Sequence, residues 1–282
     1  MLFDVCLIFD RYQDFSIKSG TRLARAGQHA SRRHKLSPST PLPPQQVVLT
    51  VTDNEVQLTE LICQQLTSEF QEKPSKHRLV ITGKELMPLE LNHGTRYHRT
   101  ELKTTHEEAD VIIIHQVIQI ANAGAKSIKV ICDDTDVFIL LMYAVLSHQL
   151  SCSVTMESTS SARTLIDVCA SAEKHSSIVS QLPAAHAITG CDTVAQCFGI
   201  GKATAIKCLK KGHCLHKLGE TEANIDEVVA EATAFMAACY GSNKKESMSD
   251  VRIDIWSTKM GKKTLQRLLI LRTCHQQPRH SK

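Results

Sequence analysis

A chain of 282 residues with 42% hydrophobic and 22% charged residues is long enough for a real core and has the composition of an ordinary globular protein. The net charge of +4 permits a nucleic-acid partner without arguing for one, and the eleven cysteines contain no CxxC pair, which speaks against a zinc ribbon. No run reaches membrane-spanning length, and "MLFDVCLIF" is too short and too acidic for a signal peptide. The expectation is a nuclear or cytoplasmic protein, neither secreted nor bound to a membrane, with reduced cysteines.

In chain order, residues 5–9 (VCLIF) predict a buried strand ending at Asp10, followed by a basic stretch over 16–35. "LSPSTPLPPQQ" (36–46) holds four of the eight prolines and reads as a linker or loop. Apolar spacing near 3.6 predicts an amphipathic helix over 54–70. A strand over 77–83 stops at Gly83, and 84–104 reads as irregular and polar. From residue 105 the pattern alternates regularly: helix 105–122, strand 127–132, helix 135–148, strand 151–156, and helices around 162–175 and 178–189. Such alternation predicts an α/β fold with a mostly parallel central sheet flanked by helices, whose ligands bind beyond the carboxyl ends of the strands. Beyond residue 213 the chain is helical but poorly patterned.

Acidic residues concentrate at those strand ends. "IFD" places Asp10 there, "THEEAD" puts Glu107, Glu108 and Asp110 at a helix start, and "CDDTD" supplies Asp133, Asp134 and Asp136 after a second strand. Asp192 follows in "ITGCDT", seven residues before "GIGKATA". Brought together, these carboxylates would make a hard-oxygen site suited to Mg²⁺ or Mn²⁺. Two such ions would activate a water and stabilise a leaving oxygen in phosphodiester hydrolysis. Each piece has a structural alternative. Thr105 and Glu108 fit a capping box, and Asp133 or Asp134 fits a cap on the helix from 135. Asp10 alone fits a turn. "HCLH" (213–216) lacks the second ligand pair a soft-metal site needs, and a single tryptophan, Trp256, leaves little material for base stacking.

The ordered series resembles the flap-endonuclease group of structure-specific 5′ nucleases, within the wider PIN-like fold. The matching residues are Asp10 after a strand, Lys18-Ser19-Gly20 with Arg25 five residues on, the Glu108-Ala109-Asp110 helix start, Asp134-x-Asp136, and Asp192 seven residues before Gly199-Ile200-Gly201. The match covers roughly residues 3–30 and 100–212.

The resemblance implies a PIN-like nuclease domain over 1–212, with a proline-rich insertion at about 31–100 and a helix-hairpin-helix element at 192–212. A helical C-terminal extension would occupy 213–282. It implies a divalent-metal-dependent, structure-specific DNA nuclease with Asp10, Glu108, Asp110, Asp134, Asp136 and Asp192 as ligands of two Mg²⁺ or Mn²⁺ ions. Lys18 and Arg25 would stand at the scissile phosphate. Gly199, Ile200, Gly201, Lys202, Lys207, Lys210 and Lys211 would bind duplex or branched DNA, with a potassium ion at the 199–201 hairpin. Two departures bear on activity. The family opens with an earlier strand carrying a further metal-binding Asp, whereas this chain opens inside the next strand, and Asp110 stands where the family has Glu. Either the missing strand lies upstream of Met1, or the chain is a decayed relative that binds nucleic acid without cutting it, which is the alternative expectation. A lesser one is a haloacid-dehalogenase-like phosphatase with Asp134 as nucleophile, which expects Thr or Val where Phe138 stands and makes no use of Asp10, Glu108 or Asp192.

Overall fold

The apolar run near the start of the chain finds its partner seventy residues away. In the computed structural model, which describes residues 4–12, 32–42, 44–49, 51–72, 77–160, 164–191, 193–242 and 247–260, β1 (Asp4–Ile8) pairs in parallel with β2 (Arg78–Thr82). Arg78 fixes the register at the amino ends by donating to both carboxylate oxygens of Asp4, at 2.7 and 2.5 Å. Between them lie the one-turn helix α1 (Gln45–Val48) and the long helix α2 (Thr52–Glu72). β3 (Leu89–Asn92) and β4 (Thr95–His98) then add an antiparallel hairpin to β2. The chain continues through α3 (Ala109–Asn122), β5 (Ser127–Ile131), α4 (Thr135–Ser147), β6 (Ser153–Glu157) and β7 (Leu165–Asp167). β5 pairs in parallel with β6, and β6 antiparallel with β7.

The chain is thus α/β, but the single central sheet expected from the sequence is, among the described residues, two mixed sheets: β1-β2-β3-β4 and β5-β6-β7. The reason lies in the edges. The Phe9 N–H donates to Thr82 O, so Cys6 and Ile8, on the alternate backbone positions, direct their peptide groups away from β2. Likewise the Cys132 N–H donates to Glu157 O, and Lys129 and Ile131 face away from β6. β1 and β5 each end their own sheet, and α3 packs against both. Val5 and Ile131 are 45% and 66% exposed, high for strands of this hydrophobicity.

Alternation assigns the two faces of the first sheet. Leu79, Ile81 and Leu91 form a buried cluster with Leu7 and Leu89, covered by Cys63, Leu66 and Phe70 of α2. Each such buried side chain contributes about 1.5–3 kcal/mol. The opposite face meets α3, where the buried Gln116 amide donates to the buried Thr82 hydroxyl at 2.6 Å. Cys6 shares that face, and burial, with Asp4 adding to it, pushes its thiol up to about 11. Glu90 is buried there as an ion pair with Arg99 at 2.7 Å.

The chain divides into two compact units, Met1–Cys169 and Ala170–Lys282, earlier than the boundary expected at residue 212. Helix α5 (Val168–Lys174) runs through the division. The second unit contains α6 (Leu182–Ile188), α7 (Lys202–Lys210), α8 (Ile225–Cys239) and α9 (Met248–Met260), with Phe235 and Leu215 among its most deeply buried side chains. Among the described residues no helix is long and apolar enough to cross a membrane.

Candidate carboxylate centre at the strand ends

The site is built where β1 leaves its sheet. Arg11, 3% exposed, sits one residue past Asp10, and its side chain donates to four main-chain carbonyls. These are Gly83 O at 2.9 Å, Thr104 O at 2.5 Å, His106 O at 3.1 Å and Leu86 O at 3.2 Å. Its own N–H donates to Glu107 O at 2.8 Å. Two loops are thereby gathered at the carboxyl end of β1. Burial lowers the guanidinium's pKa, but an arginine stays charged, so the carbonyl dipoles take the place of water around it.

Asp10 completes the junction. Its Oδ1 accepts the Ala109 N–H at 2.7 Å, in the first turn of α3. The capping box expected from Thr105 and Glu108 is not formed: residues 105–107 are not helical, Glu108 is the N-cap, and its side chain makes no capping hydrogen bond. The cap comes instead from a carboxylate 99 residues away in sequence. Asp10, Glu108 and Asp110 consequently meet at the positive end of one helix.

The second half of the site lies past β5. Asp134 is the N-cap of α4, accepting the Asp136 N–H at 2.8 Å, while its own N–H donates to Cys132 Sγ at 3.3 Å. The Cys132 thiol is held above its ordinary pKa, first by burial and then by the negative charge of Asp134, Asp110 and Asp133. Asp110 belongs to α3 and the others to the β5–α4 turn. α3 and α4 also pack side by side.

Asp133 points elsewhere. It accepts from the Ser158 and Thr159 hydroxyls and from the Thr159 N–H, and the two hydroxyls lead in lowering its pKa. A carboxyl depressed in the folded chain adds stability above its unfolded pKa, and that contribution is lost as pH falls through the folded value. The Asp133 carboxyl resonance is therefore expected to titrate below the usual carboxylate range, and to return towards it in a Ser158→Ala/Thr159→Ala variant. An unmoved titration would rule out the hydroxyls as the cause.

Of the expected ligands, Asp10, Glu108, Asp110, Asp134 and Asp136 stand at this end of the first unit. Asp192, Lys18 and Arg25 lie outside the described residues. The donors are carboxylate oxygens, the kind that fits a hard divalent cation. Among the described residues, however, no three His, Cys, Asp or Glu side chains form a metal-holding group, the "HCLH" stretch included. Asp10 and Asp134 each commit one oxygen to a helix start. Asp10 and Arg11 also border a cavity of about 630 Å³ between α2 and the first sheet, with Cys63, Ile81, Lys84 and His98 on its walls.

In the second unit, Gly199, at φ +75°, and Gly201 flank Ile200 just before α7. Ile200 is buried and its N–H is taken by Cys197 O at 3.2 Å, so it anchors the turn instead of offering that N–H to a phosphate. In the first turn of α7 the Thr204 N–H is taken by Gly201 O at 2.9 Å. Lys207, Lys210 and Lys211 are exposed. Lys202, expected at a phosphate, instead places its ammonium on oxygens at the end of α6. Nothing in the sequence marks Arg11, since a lone arginine after a strand carries no signal. No family model matches the chain, and no curated protein or solved structure is found to be similar to it.

Proposed function

We propose that the chain is a divalent-metal-dependent phosphodiesterase acting on duplex or branched DNA, built on an α/β domain of PIN-like type. One observation carries the proposal. Carboxylates from three separate segments, the end of β1, the start of α3 and the turn from β5 into α4, are drawn to one end of the first unit. Carboxylate oxygens are the donors that a hard divalent cation takes. Asp10, Glu108, Asp110, Asp134 and Asp136 would hold the ions, which when bound supply an activated water and charge stabilisation at the phosphate. Arg11 positions Asp10, and the Asp10 cap orients the α3 carboxylates. Lys18 and Arg25 would offset charge developing on the phosphate. The first turn of α7 with Lys207, Lys210 and Lys211 would take backbone phosphates without reading sequence.

A second reading, duplex binding without cleavage, is favoured by the use of Asp10 and Asp134 as helix caps, a role that needs no metal. One experiment separates the two. The purified chain and an Asp134→Asn/Asp136→Asn variant are incubated with a labelled 5′-flap duplex in Mg²⁺ and in Mn²⁺, and cutting and binding are both recorded. Metal-dependent cutting that the variant loses is the expected result. Salt-sensitive binding without cutting, equal in both proteins, would establish the second reading, and a folded chain that does neither would sink both.

A further inference from the structure

The turn between α6 and α7 is closed by a cation that belongs to the chain. The last carbonyls of α6 need partners that the helix cannot supply. The Thr189 N–H takes Ala185 O at 3.3 Å and the Gly190 N–H takes Ala187 O at 3.1 Å. His186 O and Gly190 O go to the Lys202 ammonium, at 2.6 and 2.5 Å, and Thr189 Oγ1 lies 3.2 Å from the same nitrogen. An ammonium has three donors and no acceptor, and these three oxygens all lie within its reach.

The oxygens are held in place independently of the lysine. Thr189 is 1% exposed. Gly190 stands at φ +110°, and a Cβ there would lie 2.6 Å from Gln196 Cα, so only glycine allows the loop to close. Two carbonyls and a hydroxyl converging at the negative end of a helix are also what a partly dehydrated monovalent metal ion needs. Lys202 is the first residue of α7, so its reach back to α6 fixes the start of the helix that the reading above brings to DNA.

We propose that the His186–Thr189–Gly190 oxygens form a monovalent-cation site filled by the ammonium of Lys202, so that the α6–α7 turn is ordered, and the duplex binding proposed above proceeds, without potassium. The binding half rests on that earlier reading; the cation half does not. Lys202 acts as a positioning residue, and its removal turns a self-sufficient turn into one that depends on a free ion.

The test compares the full chain with Lys202→Met, which keeps the apolar stem, in potassium chloride and in tetramethylammonium chloride at equal ionic strength. Tetramethylammonium donates no hydrogen bond and is too bulky for oxygens at these distances. The parent chain is expected to melt at the same temperature in both salts. Lys202→Met should melt several degrees lower in tetramethylammonium and recover in potassium, a rescue that loss of packing alone would not give. Fluorescence anisotropy with a short labelled duplex should follow, with the variant about tenfold weaker only in tetramethylammonium. A parent chain that needs potassium, or a variant indifferent to the cation, would overturn the proposal. Should the variant not fold in either salt, the parent comparison and a Lys202→Gln variant decide by the same criteria. If no duplex binds under any condition, melting still decides the cation site, and the failure belongs to the functional reading alone.

Discussion

An Arg11→Met variant is expected to lose about 3–5 kcal/mol of folding stability, read as a lower urea midpoint at an unchanged slope. The side chain is almost fully buried and supplies donors to Gly83 O, Leu86 O, Thr104 O and His106 O. Methionine keeps most of the apolar volume but satisfies none of those carbonyls. An orphaned buried acceptor costs about 1–3 kcal/mol, and some of the four would recover water as the loops relax. The sum stays well above the cost of an ordinary surface change. Arg11→Lys should recover only part of the loss, because a compact ammonium has three donors and cannot span the same fork. A loss below about 1 kcal/mol would show that the loops hold without the guanidinium.

The elements visible in the sequence are those whose side chains follow a hydrophobic period. β1, β2, β5 and β6 lie close to their expected positions, and α2 and α4 agree within a few residues. The β3–β4 hairpin was not legible, because its residues break that pattern. Glu90 is buried by pairing with Arg99, a charge that periodicity assigns to the surface, and all four residues of β4 are exposed. The turn did leave a mark: His93 and Gly94, at φ +48° and +76°, form the two-residue left-handed connection that hairpins favour. β7, exposed throughout, was hidden inside an expected helix for the same reason. Helix α3 starts four residues later than expected because Arg11 and Asp10, remote in sequence, settle where its first turn can form.

The candidate site was legible to a similar degree. Carboxylates immediately after apolar runs stand out, since a buried strand has few ways to end in consecutive charges. What the pattern hides is a second use of the same side chains. The sequence allows Asp134 to be cap or ligand, and in the structure its Oδ1 caps α4. Lys202 reads as a solvent or phosphate lysine because it opens a helix after glycine. Only the loop geometry at Gly190 shows that its ammonium has three oxygens waiting inside the chain.

Asp10 offers the sharpest separation of cap from ligand. Asp10→Asn keeps an oxygen for the Ala109 N–H, so its stability should stay within about 0.5 kcal/mol of the parent. Asp10→Ala removes the acceptor and should lose about 1 kcal/mol, or more in proportion to how well the junction excludes water. If Asp10 serves only α3, cutting and metal binding should track stability, with Asn near the parent and Ala impaired. If Asp10 is a ligand, the two variants should fail alike. A neutral amide is a far poorer donor to a hard cation, and even the outer partners of metal ligands are worth about 10–100-fold in affinity or activity. Both variants are therefore expected to lose at least about 10²-fold in metal-dependent cleavage, together with most of the melting-temperature rise that Mn²⁺ produces. The second readout matters because it is independent of turnover: a metal that stabilises the parent and Asp10→Asn equally would remove Asp10 from the ligand set whether or not the chain cuts DNA.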